Sequence, residues 1–103
     1  MIHLHLDLIV DPAKEQEMIR YFETVFRPAA QKFEGYIDVR MLKLRAALMG
    51  AAPAGVNYRF ALAYKSEELR QKWVTSDIHA TVWSGMEKTF SSTNYDVLLF
   101  DVV

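Results

Sequence analysis

Positions 2–10 alternate: Ile2, Leu4, Leu6, Leu8 and Val10 point one way, and His3, His5 and Asp7 point the other. That is the period-two signature of a strand with one apolar face. Asp11-Pro12 then opens a helix, with Asp11 as N-cap and Pro12 at the first helical residue, where no N–H is needed. Met18, Phe22, Val25, Phe26, Ala29 and Phe33 recur at three and four, forming a stripe that can lie on a sheet. Pro28 sits inside this pattern. An interior proline removes a hydrogen bond and crowds the preceding turn, so a kink or break is expected at residues 24–28. Gly35 suits a left-handed cap at the helix end. Residues 36–45 have the character of a second strand and residues 57–64 of a third. The uncharged, Ala-, Gly- and Pro-containing segment 46–56 joins them, either as a flexible hairpin tip or as an apolar cover over a partner subunit or pocket mouth. Ser66 caps a short helix that carries Glu67 and Glu68 in its first turn and Arg70 and Lys72 near its end, matching the helix dipole. Thr75 or Ser76, with Asp77 behind it, starts a further helical stretch in which Ile78, Val82, Met86 and Phe90 repeat every four residues. Residues 95–103 form a last strand.

The order is βαββαβ, without an internal repeat or a linker, so residues 1–103 form a single domain. Right-handed connections turn this order into an α+β, ferredoxin-like fold: a four-stranded antiparallel sheet with its helices on one face. The other face has no element left to cover it. Tyr58, Phe60, Leu62 and Tyr64 alternate with Ala61 and Ala63 on the third strand, and Leu98, Phe100 and Val102 alternate with Val97 and Leu99 on the fourth. The sheet is therefore expected to be apolar on both sides in its middle, and a patch of that kind marks an interface. A homodimer built across the uncovered face follows. The histidine side of the first strand turns toward the partner, and a space is enclosed between the two sheets.

Composition narrows the chemistry. Twelve Lys and Arg stand against thirteen Asp and Glu, a net charge of −1, which weighs against a nucleic-acid surface. The absence of cysteine excludes disulfides, thiolate metal sites and thiol nucleophiles. No basic leader or membrane-length apolar run is seen, so a cytoplasmic protein with no membrane partner is expected. No phosphate loop, nucleophile elbow or paired metal motif is present, and the expectation is of a protein without a cofactor.

The run Tyr64-Lys65-Ser66-Glu67-Glu68-Leu69, then Trp73, then Thr75-Ser76-Asp77-Ile78-His79, resembles the antibiotic-biosynthesis-monooxygenase branch of the dimeric α/β-barrel superfamily, as does Phe33-Glu34-Gly35-Tyr36. The ending Asp96-Val97-Leu98-Leu99-Phe100-Asp101 is similar to the stress-responsive barrel branch. The superfamily resemblance implies two ferredoxin-like subunits whose sheets form one barrel. The monooxygenase branch implies cofactor-independent oxygenation of aromatic polyketides or quinols, or haem degradation. Trp73 stands where the haem-degrading members carry a Trp, but the first strand has no Asn and Trp83 occupies the position of the ligating His. The other reading is a non-catalytic, ligand-binding or stress-responsive barrel protein.

Each candidate residue carries a plain reading beside a functional one. His79 is either a capping or solvent-facing residue or, as a neutral imidazole at pH 7, the general base for an acidic phenol or quinol. Trp73 and Trp83 either close the core edge or hold the substrate ring. His3, His5 and Asp7 lie about 6.6 Å apart in sequence along one strand face; they are surface groups, polar groups in the barrel or, least favoured, metal ligands, and no metal is expected. Arg40 and Arg59 pair with Asp38 or with an anionic ligand, and Tyr64 either closes the third strand or donates into the pocket. The expected set is His79 as catalytic residue, with His5, Arg59, Tyr64, Trp73 and Trp83 around a small apolar or aromatic ligand.

Overall fold

A computed structural model describes all 103 residues. Its elements are β1 (Ile2–Leu8), α1 (Glu15–Tyr21), α2 (Arg27–Gln31), β2 (Tyr36–Lys43), β3 (Tyr58–Tyr64), α3 (Glu67–Val74), α4 (Asp77–Glu87) and β4 (Val97–Asp101). The sheet order is β2-β3-β1-β4, and every neighbouring pair is antiparallel. This is the α+β, ferredoxin-like arrangement expected from the element order. No helix is long and apolar enough to cross a membrane.

The strands are shorter than the alternation alone implied. β1 stops at Leu8, because the side chain of Asn57 captures the backbone of Val10 instead: Val10 N–H donates to Asn57 Oδ1 and Asn57 Nδ2 donates to the Val10 carbonyl, both at 2.8 Å. Three caps hold the helix starts. Asp11 accepts from Ala13 N–H and opens a short 3₁₀ turn (Pro12–Lys14) before α1. Ser66 accepts from Leu69 N–H. Ser76, not Thr75, caps α4 by accepting from His79 N–H, while the Thr75 hydroxyl turns back to the Gln71 carbonyl.

Pro28 does not break the first helix. The turn before it widens into a π-helical stretch, Phe22–Phe26, in which Arg27 N–H donates to the Phe22 carbonyl. The wide turn absorbs the missing hydrogen bond and the ring together. It also rephases the stripe: Met18, Phe22, Phe26 and Ala30 are buried at intervals of four, and Val25 faces out. In the same way Val82, Met86 and Phe90 are buried along the last helical stretch, but Ile78 is exposed.

Gly35 has φ +92°, and a Cβ there would come within 2.7 Å of the Leu69 side chain, so both the cap and the close approach of α3 require glycine. Seventeen buried residues form one core, with Leu6, Leu8, Tyr58, Phe60 and Leu62 from the sheet meeting Met18, Phe22, Phe26, Trp73 and Met86 from the helices.

Strand register decides which residues face away from the helices. His3, His5 and Asp7 stand opposite Ala63, Ala61 and Arg59 on β3, and His3 and His5 stand opposite Phe100 and Leu98 on β4. The middle of this uncovered face is small and polar rather than apolar. Arg59 Nε reaches Asp7 Oδ1 at 2.8 Å, and Arg40 pairs with Asp38. The apolar surface lies instead along the two edge strands: every residue of β4 is exposed, and Ile37 and Leu42 are exposed on β2. β4 reaches the sheet edge with no helix above it, so alternation there sorts nothing into the core.

Candidate functional site

A cavity of about 160 Å³ opens between the sheet and α3–α4. Leu4, Leu6, Phe60 and Leu62 form its floor, Phe26 one wall, and Trp73, Val74, His79 and Trp83 its helical side; Arg70, Tyr95 and Val97 complete it. Ten of the twelve lining residues are hydrophobic. A dry apolar cavity of about 150 Å³ takes up benzene, so this one is matched to a single aromatic ring.

The aromatic wall is built from consecutive helical turns. Trp73 ends α3 almost fully buried, its ring edge-on to Phe33 at 4.8 Å and to Phe26 at 5.8 Å. The Ser76 cap sets the first turn of α4, which carries His79 one turn before Trp83. The imidazole therefore lies between two indoles, edge-on to Trp73 at 5.0 Å and nearly parallel to Trp83 at 6.3 Å, with 10° between the planes. Burial among these rings, and secondarily the charge of Arg70, holds His79 below its ordinary pKa of 6.5. It is a neutral base at pH 7.

Two polar groups were not singled out as site residues from sequence. The Arg70 side chain is only 14% exposed and is clamped by Glu67, through Nε to Oε1 and through Nη2 to Oε2 at 2.8 Å. Tyr95 accepts from Trp83 Nε1 at 2.7 Å and donates to Glu87 Oε2 at 2.8 Å, a chain that orients the indole. Burial, with Glu87 as acceptor, raises the Tyr95 hydroxyl to about 12. The sequence signal for Arg70 was visible, since a cation three residues after Glu67 falls one turn along the same helix face. Its inward position depended on the packing of α3.

The six expected site residues divide by sheet face. His79, Trp73 and Trp83 share the helix-side cavity. His5 and Arg59 lie on the opposite, uncovered face, separated from it by the sheet. There His5 touches Phe100 at a ring distance of 5.1 Å, and its pKa is lowered by burial, then by Arg59 and His3. Arg59 is engaged by Asp7 and not by Asp38. Tyr64 faces the helices but is fully buried and does not line the cavity; its hydroxyl has no hydrogen-bond partner, and burial raises it to about 12. The His3 and His5 rings are 6.0 Å apart, and no group of three or more His, Asp or Glu side chains is arranged around a common metal position.

The fold and this geometry define a ferredoxin-like α+β protein with an aromatic cavity under its helices. The sequence matches no family model and no curated protein. Among solved structures, the chain is similar to a candidate antibiotic biosynthesis monooxygenase from Caulobacter crescentus CB15, with TM-score 0.78, 17% identity and 99% and 89% of the two chains covered. It is similar to a second such protein from Bordetella bronchiseptica, with TM-score 0.76, 14% identity and 99% and 96% covered. A dimeric ferredoxin-like protein of unknown function from Jannaschia sp. CCS1 gives TM-score 0.78 at 11% identity, with 98% of each chain covered. At these identities the likeness concerns the fold: the chain shares the ferredoxin-like architecture of monooxygenase-like proteins.

Proposed function

We propose that the protein binds a single-ring phenol or quinol in the helix-side cavity and that His79 takes its hydroxyl proton, so that the electron-rich anion reacts with oxygen without a cofactor. The observation that carries this reading is the imidazole of His79 held between Trp73 and Trp83 at an apolar, ring-sized cavity. The balance closes on substrate and dioxygen alone. For a phenol, one oxygen atom replaces the ring hydrogen opposite the hydroxyl, the other leaves as water, and the ring, losing four electrons, ends as a quinone. A hydroquinone, already carrying a hydroxyl there, loses two electrons and two protons to give the quinone, and dioxygen takes them up as hydrogen peroxide. The Caulobacter and Bordetella proteins, which share the fold, are described as candidate antibiotic biosynthesis monooxygenases.

The active form on this reading is a homodimer joined through the uncovered face and β4. Leu98 and Phe100 stand exposed there, and the charges on the face pair internally as Asp7–Arg59 and Asp38–Arg40. A second copy of the same surface can therefore meet it about a twofold axis without like-charge repulsion. The Jannaschia protein is itself described as dimeric.

Oxygen uptake with a panel of single-ring phenols and hydroquinones tests the catalytic reading. Replacing a general base lowers turnover by about 10²–10⁴-fold, and His79→Ala should fall in that range. Absence of uptake across the panel, together with ligand-dependent quenching of Trp73 and Trp83, would assign the cavity to a non-catalytic binding protein.

A further inference from the structure

Arg70 is the one formal charge in the wall of an otherwise apolar cavity. An ionised group so little exposed is tolerated only when paired, and Glu67 supplies that pairing through Nε and Nη2. The pairing is one-sided. The Nη1 amino group donates to no protein acceptor, so the guanidinium keeps donors to spare beside His79. The other polar neighbours leave it that role: Tyr95 is engaged by Trp83 and Glu87, and the His79 ring has no side-chain partner.

We infer that Arg70 sets the charge of the ligand: the cavity takes single-ring phenols as their anions, with the oxygen against the guanidinium and the ring between the two indoles. This rests on the proposed cavity reading and deepens it by naming the charge state in which the ligand is held and the residue that selects it. The proton leaving the hydroxyl goes to the imidazole, so a neutral pair, phenol and histidine, becomes phenolate and imidazolium with no outside acid or base. Arg70 favours the first charge and opposes the second until the anion is in place, which ties proton transfer to occupancy. Neutral arenes of the same size gain only the apolar contacts.

The probe is 4-nitrophenol, whose anion is yellow and whose neutral form is not. Bound to the wild-type protein, it should show a phenolate-to-phenol ratio at least about tenfold above that of the free probe at the same pH, the shift expected of one close opposite charge. Arg70→Met should return the ratio to that of the free probe, Arg70→Lys should keep part of the gain, and Glu67→Gln, which removes the carboxylate charge that offsets the little-exposed guanidinium, should raise the ratio further. Binding itself is read independently from Trp fluorescence. Binding with an unshifted ratio, or a shift that survives Arg70→Met, overturns the role of Arg70 and leaves the cavity reading standing. No binding at all overturns both.

Discussion

Phe26 ties the stability of this protein to its cavity. The residue is fully buried; it stacks on Phe22 at 5.9 Å and meets Phe60, Trp73 and Trp83 edge-on at 5.4, 5.8 and 5.7 Å. It also forms one wall of the 160 Å³ space. Phe26→Ala removes a ring that four aromatic neighbours, held by three helices and a strand, cannot all move to replace. The expected loss is about 3–5 kcal/mol, a large share of the roughly 5–15 kcal/mol that stabilises a domain of this size. Urea unfolding followed by Trp fluorescence, at fixed protein concentration, measures it. In a thermal scan the midpoint should drop by about 12 °C or more, at about 4 °C or more per kcal/mol for a domain of this size. The variant should also regain stability from an added arene. A ligand at about one hundred times its dissociation constant contributes about 2.7 kcal/mol, and an indole-sized ligand should stabilise Phe26→Ala more than the wild type because the enlarged space admits a second ring. A loss below about 1 kcal/mol, or equal stabilisation of both proteins by indole, would show that Phe26 does not wall the cavity as described.

Three further outcomes follow from the same contacts. Burial lowers the pKa of His79 in the folded state, so below about pH 6.5 the unfolded chain binds the proton first and stability falls with falling pH until the folded imidazole also protonates; His79→Gln should lack this portion of the acid slope when stability is measured from about pH 7.5 to about pH 5. Leu98→Glu or Phe100→Asp, each placing a charge on the exposed edge strand, should convert a dimer into a monomer by light scattering at micromolar concentration, and a wild-type monomer under those conditions would refute the dimer. Tyr64→Phe removes a buried hydroxyl that has no partner, so unlike most core changes it should be neutral or stabilising by up to about 1 kcal/mol in urea unfolding; a loss of more than about 1 kcal/mol would reveal a partner for that hydroxyl.

Local chemistry was enough for most of the architecture. Alternation on β1, the Asp11 and Ser66 caps and the Gly35 exit are decided within a few residues by backbone sterics and orphan N–H groups, and the βαββαβ order with its antiparallel sheet follows from them. The aromatic pair on the last helices was also visible, because Trp83 follows His79 by one turn wherever that helix lies. The alternation of β1 also sent His5 away from the helices; what the sequence could not decide was where the cavity lies. His79, Trp73 and Trp83 gather on the helix side, so the sheet stands between them and His5, and one pocket does not hold all the candidates. Pro28 signalled a disturbance, but only the packed helix shows that a wide turn accommodates it and moves Val25 outward. Arg70 on sequence alone is one more basic residue near a helix end. Only when α3 closes on the sheet does its charge come to lie in an apolar wall, where the low polarity of the surroundings gives one guanidinium the strength to select a ligand.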